Sequence, residues 1–271
     1  MTSSTPDPAR PSLPPDAADL PGGGRMPLLG FGTWQLTGED ALTATQAALD
    51  AGYRHLDTAT IYGNEAEVGE ALRRSGVPRE EVFLTTKCPP ANAGREIDTL
   101  RQSLQQLGVD RVDLWLVHWA APGPATARMW QAFTRAQADG LTTDIGVSNF
   151  DAALLDEVTQ DSGVVPAVNQ VEWSPYLFDA AVLQAHQERG VVLEGYSALR
   201  GGTLEDPVVV SVAERLGRTP AQVIVRWHLQ HGIVVIPKSR EAARLRSNAD
   251  VAGFELTAED MAALDGLGGR R

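Results

Sequence analysis

The chain has 271 residues, 43% of them hydrophobic, and a formal net charge of −12 at pH 7. That length suits one sizeable core, and the acidic balance excludes the basic footprint of a nucleic-acid binder. A single cysteine, Cys88, rules out an intrachain disulfide, and no run approaches the roughly 18 apolar residues of a membrane span.

These features predict a cytoplasmic, monomeric protein with no membrane or nucleic-acid partner. Any anionic ligand must be met by a local basic patch rather than by the overall charge. Residues 1–23 read as a disordered tail: six prolines fall by Pro21, aliphatic residues are few, and no apolar core of a secretory signal is present. Gly22-Gly23-Gly24 reads as the end of that tail or as a turn. Residues 24–271 are then expected to form one domain.

From Met26 short apolar runs alternate with longer amphipathic stretches. Strands are predicted over 29–34, 55–57, 82–87, 112–118, 143–148, 167–171, 191–197 and 234–238. Helices are predicted over 40–51, 64–75, 97–107, 126–139, 151–160, 179–189, 207–216 and 220–230. Asp151, Asp179 and Thr219 occupy N-cap positions. Gly52, Gly76, Gly108, Gly140, Gly190 and Gly232 each follow a helical pattern, as C-terminal cap glycines do. Near-uniformly apolar strands separated by helices indicate a parallel sheet covered on its outer face. Eight such units in one chain predict an α/β fold, a single closed (β/α)8 TIM barrel. The rival, a doubly wound sheet, carries G-x-G-x-x-G after its first strand. Here Gly30-Phe31-Gly32 begins that pattern, but Gln35 stands where the third glycine belongs, so these glycines read as close-packing or turn positions.

A barrel strand is expected to be apolar inside and to carry functional groups at its C-terminal end. Asp57, Lys87, His118, Ser148 with Asn149, Gln170 with Glu172, Tyr196 with Ser197, and Lys238 with Ser239 all fall at or near strand ends. Each alone has an ordinary explanation as a cap, a solvated loop residue or a satisfied rim group. Their recurrence on strand after strand argues for one functional face.

The local strings are more specific. Asp57-Thr-Ala-Thr-Ile-Tyr62-Gly-Asn-Glu65, Gly146-Val-Ser148-Asn149-Phe, Asn169-Gln170-Val-Glu172 and Ile236-Pro-Lys238-Ser239 occur in one order along the chain. In that order they resemble the signatures of the aldo-keto reductase superfamily, and in particular its bacterial diketogluconate and keto reductases, over roughly residues 26–266. The resemblance implies a catalytic tetrad of Asp57, Tyr62, Lys87 and His118 and an NADPH/NADP+ cofactor acting on a small carbonyl substrate. Carbonyl reduction needs a hydride at carbon and a proton at oxygen. An ammonium beside a phenol lowers its pKa, so Lys87 is expected to make Tyr62 the better acid, with Asp57 keeping the buried lysine charged. His118 would orient the substrate oxygen, and Trp34 and Trp119 would wall the pocket.

By the same resemblance, Ser148, Asn149 and Gln170 would hold the nicotinamide carboxamide and Tyr196 would stack on its ring. Ser197 and Leu199, with the Arg200-Gly201-Gly202 loop, would line the pyrophosphate path. The missing basic patch lies late in the chain, at Lys238, Ser239, Arg240, Arg244 and Arg246, and the resemblance implies that Lys238, Ser239 and Arg244 meet the 2′-phosphate and Asn248 the adenine. A lysine charge, a hydroxyl and an arginine fork suit a dianionic 2′-phosphate, which favours NADPH over NADH. The ordinary reading of this segment is a solvated helix face with a Glu241–Arg244 pair.

The chain departs from the pattern in places. Cys88-Pro89-Pro90 follows Lys87 where a tryptophan is frequent, Ala198 replaces a common proline, Ser247 replaces a frequent acidic residue, and the loop at 201–207 is short. With little chain after the last helix, an open, loosely selective pocket is expected. Cys88 reads as a packed residue, and His228 with His231 lacks the third ligand a metal needs, so no metal is expected. Two rival functions remain on the same residues: a regulatory or redox-sensing member of the superfamily with little turnover, and a barrel hydrolase pairing Asp57 with Glu172.

Overall fold

The computed structural model describes residues 16–269. Its main sheet has eight parallel strands: β3 (Phe31–Gly32), β4 (His55–Asp57), β5 (Phe83–Cys88), β6 (Val112–Val117), β7 (Thr142–Ser148), β8 (Val168–Glu172), β9 (Val192–Tyr196) and β10 (Val234–Val235), each paired with its sequence neighbour. The last strand returns to the first. Leu29 bridges Val235 in parallel, Gly30 N donates to the Val235 carbonyl at 2.9 Å, and Val235 N donates to that of Leu28 at 2.8 Å. The sheet is a closed barrel, as predicted. Gly30 and Gly32 sit at this seam: a Cβ at Gly30 would lie 2.5 Å from His55 Nδ1, and one at Gly32 would lie 2.8 Å from the Ile236 carbonyl oxygen. They are close-packing glycines, not a dinucleotide fingerprint.

Helices α1 (Gly38–Asp50), α2 (Glu65–Ser75), α3 (Glu96–Leu107), α4 (Ala125–Ala138), α5 (Ala152–Ser162), α6 (Ala180–Glu188), α7 (Pro207–Leu216) and α8 (Pro220–Gln230) cover the outer face of the barrel. The predicted caps form. Asp151 accepts from Leu154 N, Asp179 from Ala181 N, and Thr219 shares a reciprocal capping box with Gln222. Two further helices, α9 (Ala242–Ala249) and α10 (Ala258–Asp265), follow the barrel. Among the described residues, no helix is long and apolar enough to cross a membrane.

Two expectations are corrected. The disordered tail does not extend to residue 23. β1 (Ala17–Asp19) pairs antiparallel with β2 (Arg25–Pro27), and the glycine turn between them docks on Asp144, whose carboxylate accepts from Gly22 N at 2.6 Å and Gly24 N at 2.9 Å. Residues 1–15 of that expected tail lie outside the described residues. Nor is the barrel interior uniformly apolar. His55, Asp57, Thr85, Lys87, Gln170 and Glu194 are all buried within the sheet.

Candidate active site

Strand alternation sets the site. His55 and Asp57 lie two apart on β4, and Thr85 and Lys87 lie two apart on β5, so each pair projects to one side. Lys87 is completely buried. Its ammonium donates to Asp57 Oδ1 at 2.6 Å, to the Thr58 carbonyl at 2.8 Å and to the Tyr62 hydroxyl at 3.4 Å. Tyr62 ends a short 3-10 turn, Thr60–Tyr62, which Gly63 closes at φ +64°. Thr60 Oγ1 ties that turn to the Lys87 carbonyl at 2.8 Å. His118 follows β6, edge-on to the Tyr62 ring at 5.7 Å between centroids and stacked on Trp119 at 4.0 Å. The four residues of the expected tetrad therefore converge at the C-terminal mouth of the barrel.

Burial governs the charges here. It pulls the Lys87 ammonium down, but Asp57, Tyr62 and Glu194 together overcome it, and the net shift is upward. Burial also raises the Tyr62 phenol, and Lys87 only partly offsets it. The expectation that Lys87 leaves Tyr62 a stronger acid than free tyrosine is thus corrected: the lysine acts in the expected direction, but desolvation outweighs it. Burial and then Lys87 lower His118 to about 2, so its ring is neutral, and its Nδ1 has no partner among the described residues.

Asp57, Tyr62 and His118 open onto a cleft of about 830 Å³. Ser148, Asn149, Gln170, Tyr196, Ser197 and Leu199 also line the cleft. Tyr196 Oη donates to Asn149 Oδ1 at 2.8 Å, Asn149 Nδ2 donates to Ser148 Oγ at 3.0 Å, and Ser148 Oγ donates to the Gln170 carbonyl at 2.8 Å. Among the described residues, the non-glycine residues with positive φ are Gln35, Asn149 and Ser197, and all three line the cleft. Such backbone strain concentrates at functional sites. Lys238, Ser239, Arg244 and Asn248 line the same cleft. Burial and the charges of Arg240 and Arg200 lower the Lys238 ammonium, which marks a local positive field in an acidic chain.

Trp34 and Trp119 also line the cleft, at 44% and 42% exposure, so they are walls and not packing beneath the rim. The Arg200 guanidinium lies over the Trp34 ring at 4.9 Å, spanning the loops after β3 and β9. Arg240 is not among the residues lining the cleft: its side chain pairs with Asp40 at 3.2 Å and donates to the carbonyl of Gln35, itself a cleft residue, at 3.4 Å. Arg244 lines the cleft while pairing with Glu241 at 3.1 Å, so the patch and the ordinary helix pair coexist. Cys88 is buried, with its thiol pushed up to about 12 by burial, which fits a packed residue.

Sequence reasoning missed Glu194. It lies within the apolar 191–197 run, fully buried, with Gln170 Nε2 at 2.9 Å and His55 Nε2 at 3.6 Å. The available signal was its place two residues before Tyr196, on the same face of the strand. The start of α8, at Thr219, Pro220 and Ala221, also lines the cleft without having been singled out for it.

A barrel with a buried Lys–Asp pair, a tyrosine and a neutral histidine at its mouth defines a class of oxidoreductase. The model of the aldo/keto reductase family matches residues 28–268. An aldo-keto reductase of Mycolicibacterium vanbaalenii is 48% identical over 89% of this chain and 88% of its own length. The 2,5-diketo-D-gluconic acid reductase B of a Corynebacterium species is 44% identical over 88% of each chain. Among solved structures, the aldo/keto reductase from Brucella melitensis superposes with a TM-score of 0.90 at 40% identity, covering 94% of this chain and all of that one. A Bombyx mori aldo-keto reductase in complex with NADP superposes at 0.88 with 29% identity, covering 96% and 95%. The chain belongs to the aldo/keto reductase family and is an NAD(P)-dependent oxidoreductase.

Proposed function

We propose that this enzyme reduces aldehydes or ketones to alcohols with NADPH, using Tyr62 as the proton donor. One observation carries the reading: Lys87 holds Asp57 and Tyr62 together, at 2.6 and 3.4 Å, in the cleft that also contains Lys238, Ser239 and Arg244.

The cleft fits a phosphorylated dinucleotide in its donor set. At one part Gln170, Asn149 and Ser148 offer an amide-reading group and Tyr196 offers a ring face; at another two cations and a hydroxyl suit a 2′-phosphate. When bound, NADPH supplies the hydride. The chain's own residues manage the proton and the orientation. Tyr62 stays a neutral phenol across the physiological range, because burial raises it, and so always holds a proton to give. Lys87 stabilises the phenolate left behind, and Asp57 keeps Lys87 charged. Neutral His118 donates a hydrogen bond to the substrate oxygen without adding a charge. Trp34 and Trp119 exclude water beside the reacting carbonyl.

The hydrolase reading loses ground because both Asp57 oxygens are engaged, Oδ1 by Lys87 and Oδ2 by Gln170. The test is NADPH oxidation against a panel of simple aldehydes, ketones and keto sugar acids, the last prompted by the name of the Corynebacterium relative. Turnover on the panel is expected. Tight NADPH binding with no turnover on any member would favour the regulatory reading instead.

A further inference from the structure

Beneath the floor of the cleft, Gln170 commits both hydrogens of its amide. Nε2 donates to Asp57 Oδ2 at 2.8 Å and to Glu194 Oε2 at 2.9 Å. Glu194 Oε1 in turn lies 3.6 Å from His55 Nε2, and both side chains are completely buried. His55 Nδ1 is 3.2 Å from the Pro27 carbonyl. A carbonyl oxygen only accepts, so Nδ1 carries the hydrogen and Nε2 is left as an acceptor.

An amide has a donor end and an acceptor end. With two carboxyl groups around Nε2, turning Gln170 over would set its carbonyl oxygen against two oxygens, leaving buried groups unpaired at a cost of about 1–3 kcal/mol each. Oε1 is therefore the end left for the cleft, which Gln170 lines. It has no hydrogen bond among the described residues.

We propose that Glu194 is a positioning residue: fully buried beside His55, it accepts from the Gln170 amide and locks it so that Oε1 always faces the cleft as an acceptor for the carboxamide NH2 of the nicotinamide. The proposal rests on the reductase reading above. Glu194 does not touch the cofactor. It acts through Gln170, and the same amide braces Asp57, so the cofactor's orientation and the charge state of the lysine pair share one support.

The proton inventory fits this role. Glu194 faces His55 and Asp57 from β4, Lys87 from β5 and Gln170 from β8, while His228 of α8 lies behind the neighbouring Gly195. Burial and the nearby Asp57 raise Glu194 to about 8, and burial lowers His55 to about 4. At neutral pH burial holds the carboxyl in its protonated form, with Oε2 accepting from Gln170 and Oε1 3.6 Å from His55 Nε2, without a hydrogen-bond partner among the described residues. Above about pH 8 it becomes a second buried anion, which also raises the Tyr62 phenol and slows proton donation.

Glu194→Gln reproduces the protonated form: its carbonyl accepts from Gln170 and its NH2 faces His55. Glu194→Leu keeps the volume and removes the acceptor. Each variant is titrated with NADP+ and with 2′,5′-ADP, which lacks nicotinamide, and kcat is followed from about pH 6 to about pH 9. Glu194→Leu is expected to bind NADP+ about tenfold more weakly, the value of one hydrogen bond, with 2′,5′-ADP unchanged. Glu194→Gln is expected to match the wild type at pH 7 and to lose the fall in kcat above pH 8. Unaltered NADP+ binding in Glu194→Leu, or an equal loss for both ligands, overturns the proposal. So does an alkaline fall retained in Glu194→Gln, and this profile decides alone if the leucine variant does not fold. A wild-type protein that binds 2′,5′-ADP and NADP+ but reduces nothing would instead sink the reductase reading while leaving the binding comparison intact.

Discussion

The Lys87 ammonium lies 2.6 Å from Asp57 Oδ1, and both side chains are closed to solvent. Breaking a buried pair by removing one charge typically costs about 3–5 kcal/mol. Asp57→Asn is therefore expected to lower unfolding free energy by an amount in that range, measured by denaturant titration, and to lower kcat about 100-fold or more as Lys87 sheds its proton. The sign with pH follows from Lys87. Its folded pKa lies above the ordinary 10.5, so its contribution is complete below that value and is lost only as pH rises through the folded pKa. The wild-type contribution should therefore stay level from about pH 6 to about pH 9, whereas Asp57→Asn, whose buried Lys87 sheds its proton on folding, should gain stability as pH rises, so the gap narrows across that window.

Tyr62→Phe removes the proton and little else, because the hydroxyl's protein contact is the 3.4 Å approach of Lys87. Turnover is expected to fall about 10²–10⁴-fold, the usual worth of a positioned acid, with the NADPH dissociation constant unchanged by fluorescence titration. Retained turnover would remove Tyr62 from the acid role.

Much of this was legible in the chain. Regular alternation of apolar runs with capped helices specified the barrel, because a parallel strand buried on both sides leaves an apolar run and most of the barrel helices are followed by a glycine with positive φ. The tetrad was legible from strings whose spacing survives folding. The hairpin at 17–27 was not, since Gly22-Gly23-Gly24 resembles the end of a tail until Asp144, 120 residues away, supplies the acceptors. Strands β3 and β10 are two residues each, because their neighbours' hydrogen bonds cross the seam through Leu28, Leu29 and Gly30. Glu194 stands alone in an apolar run, and nothing local signals that β4 and β8 bring His55 and Gln170 to it. The Tyr62 shift turned on how much water folding removes, which spacing does not encode.

His118 gives a test of buried charge. Its ring is lowered from 6.5 to about 2, chiefly by burial. A folded pKa below the unfolded one means a contribution to stability present above pH 6.5 and lost as pH falls towards 2. His118→Asn should flatten the acid side of the stability profile by about 1.4 kcal/mol per pH unit between pH 6 and pH 4. Denaturant midpoints at several pH values would reveal a slope unchanged from wild type if the ring were protonated in the folded state.

Arg244→Ala separates the phosphate reading from an ordinary surface pair. Arg244 lines the cleft, but its Glu241 partner is also exposed, and an exposed pair of this kind contributes little to stability. The variant is expected to keep its melting temperature and to raise KM for NADPH about tenfold or more while leaving KM for NADH within about twofold, since a charge-assisted bond to phosphate is worth about 1.5–3 kcal/mol. Equal losses for the two cofactors would place the 2′-phosphate elsewhere.

The N-terminal hairpin offers a prediction away from the chemistry. Asp144 accepts two backbone hydrogens from the glycine turn, and the turn approaches so closely that a Cβ at Gly22 would lie 2.3 Å from the Thr143 carbonyl oxygen and one at Gly24 would lie 2.4 Å from Asp144 Oδ2. At Gly22 the obstacle is backbone, so only glycine fits there; at Gly24 it is the Asp144 carboxylate itself. Gly22→Ala should undock the hairpin, cost about 1–3 kcal/mol through the unpaired Asp144 carboxylate, and speed amide exchange in residues 17–27. The tetrad lies at the opposite, C-terminal ends of the strands, so kcat should be unchanged. A loss of turnover larger than the loss of folded protein would mean that the hairpin supports the cleft through the barrel interior, where Pro27 meets His55.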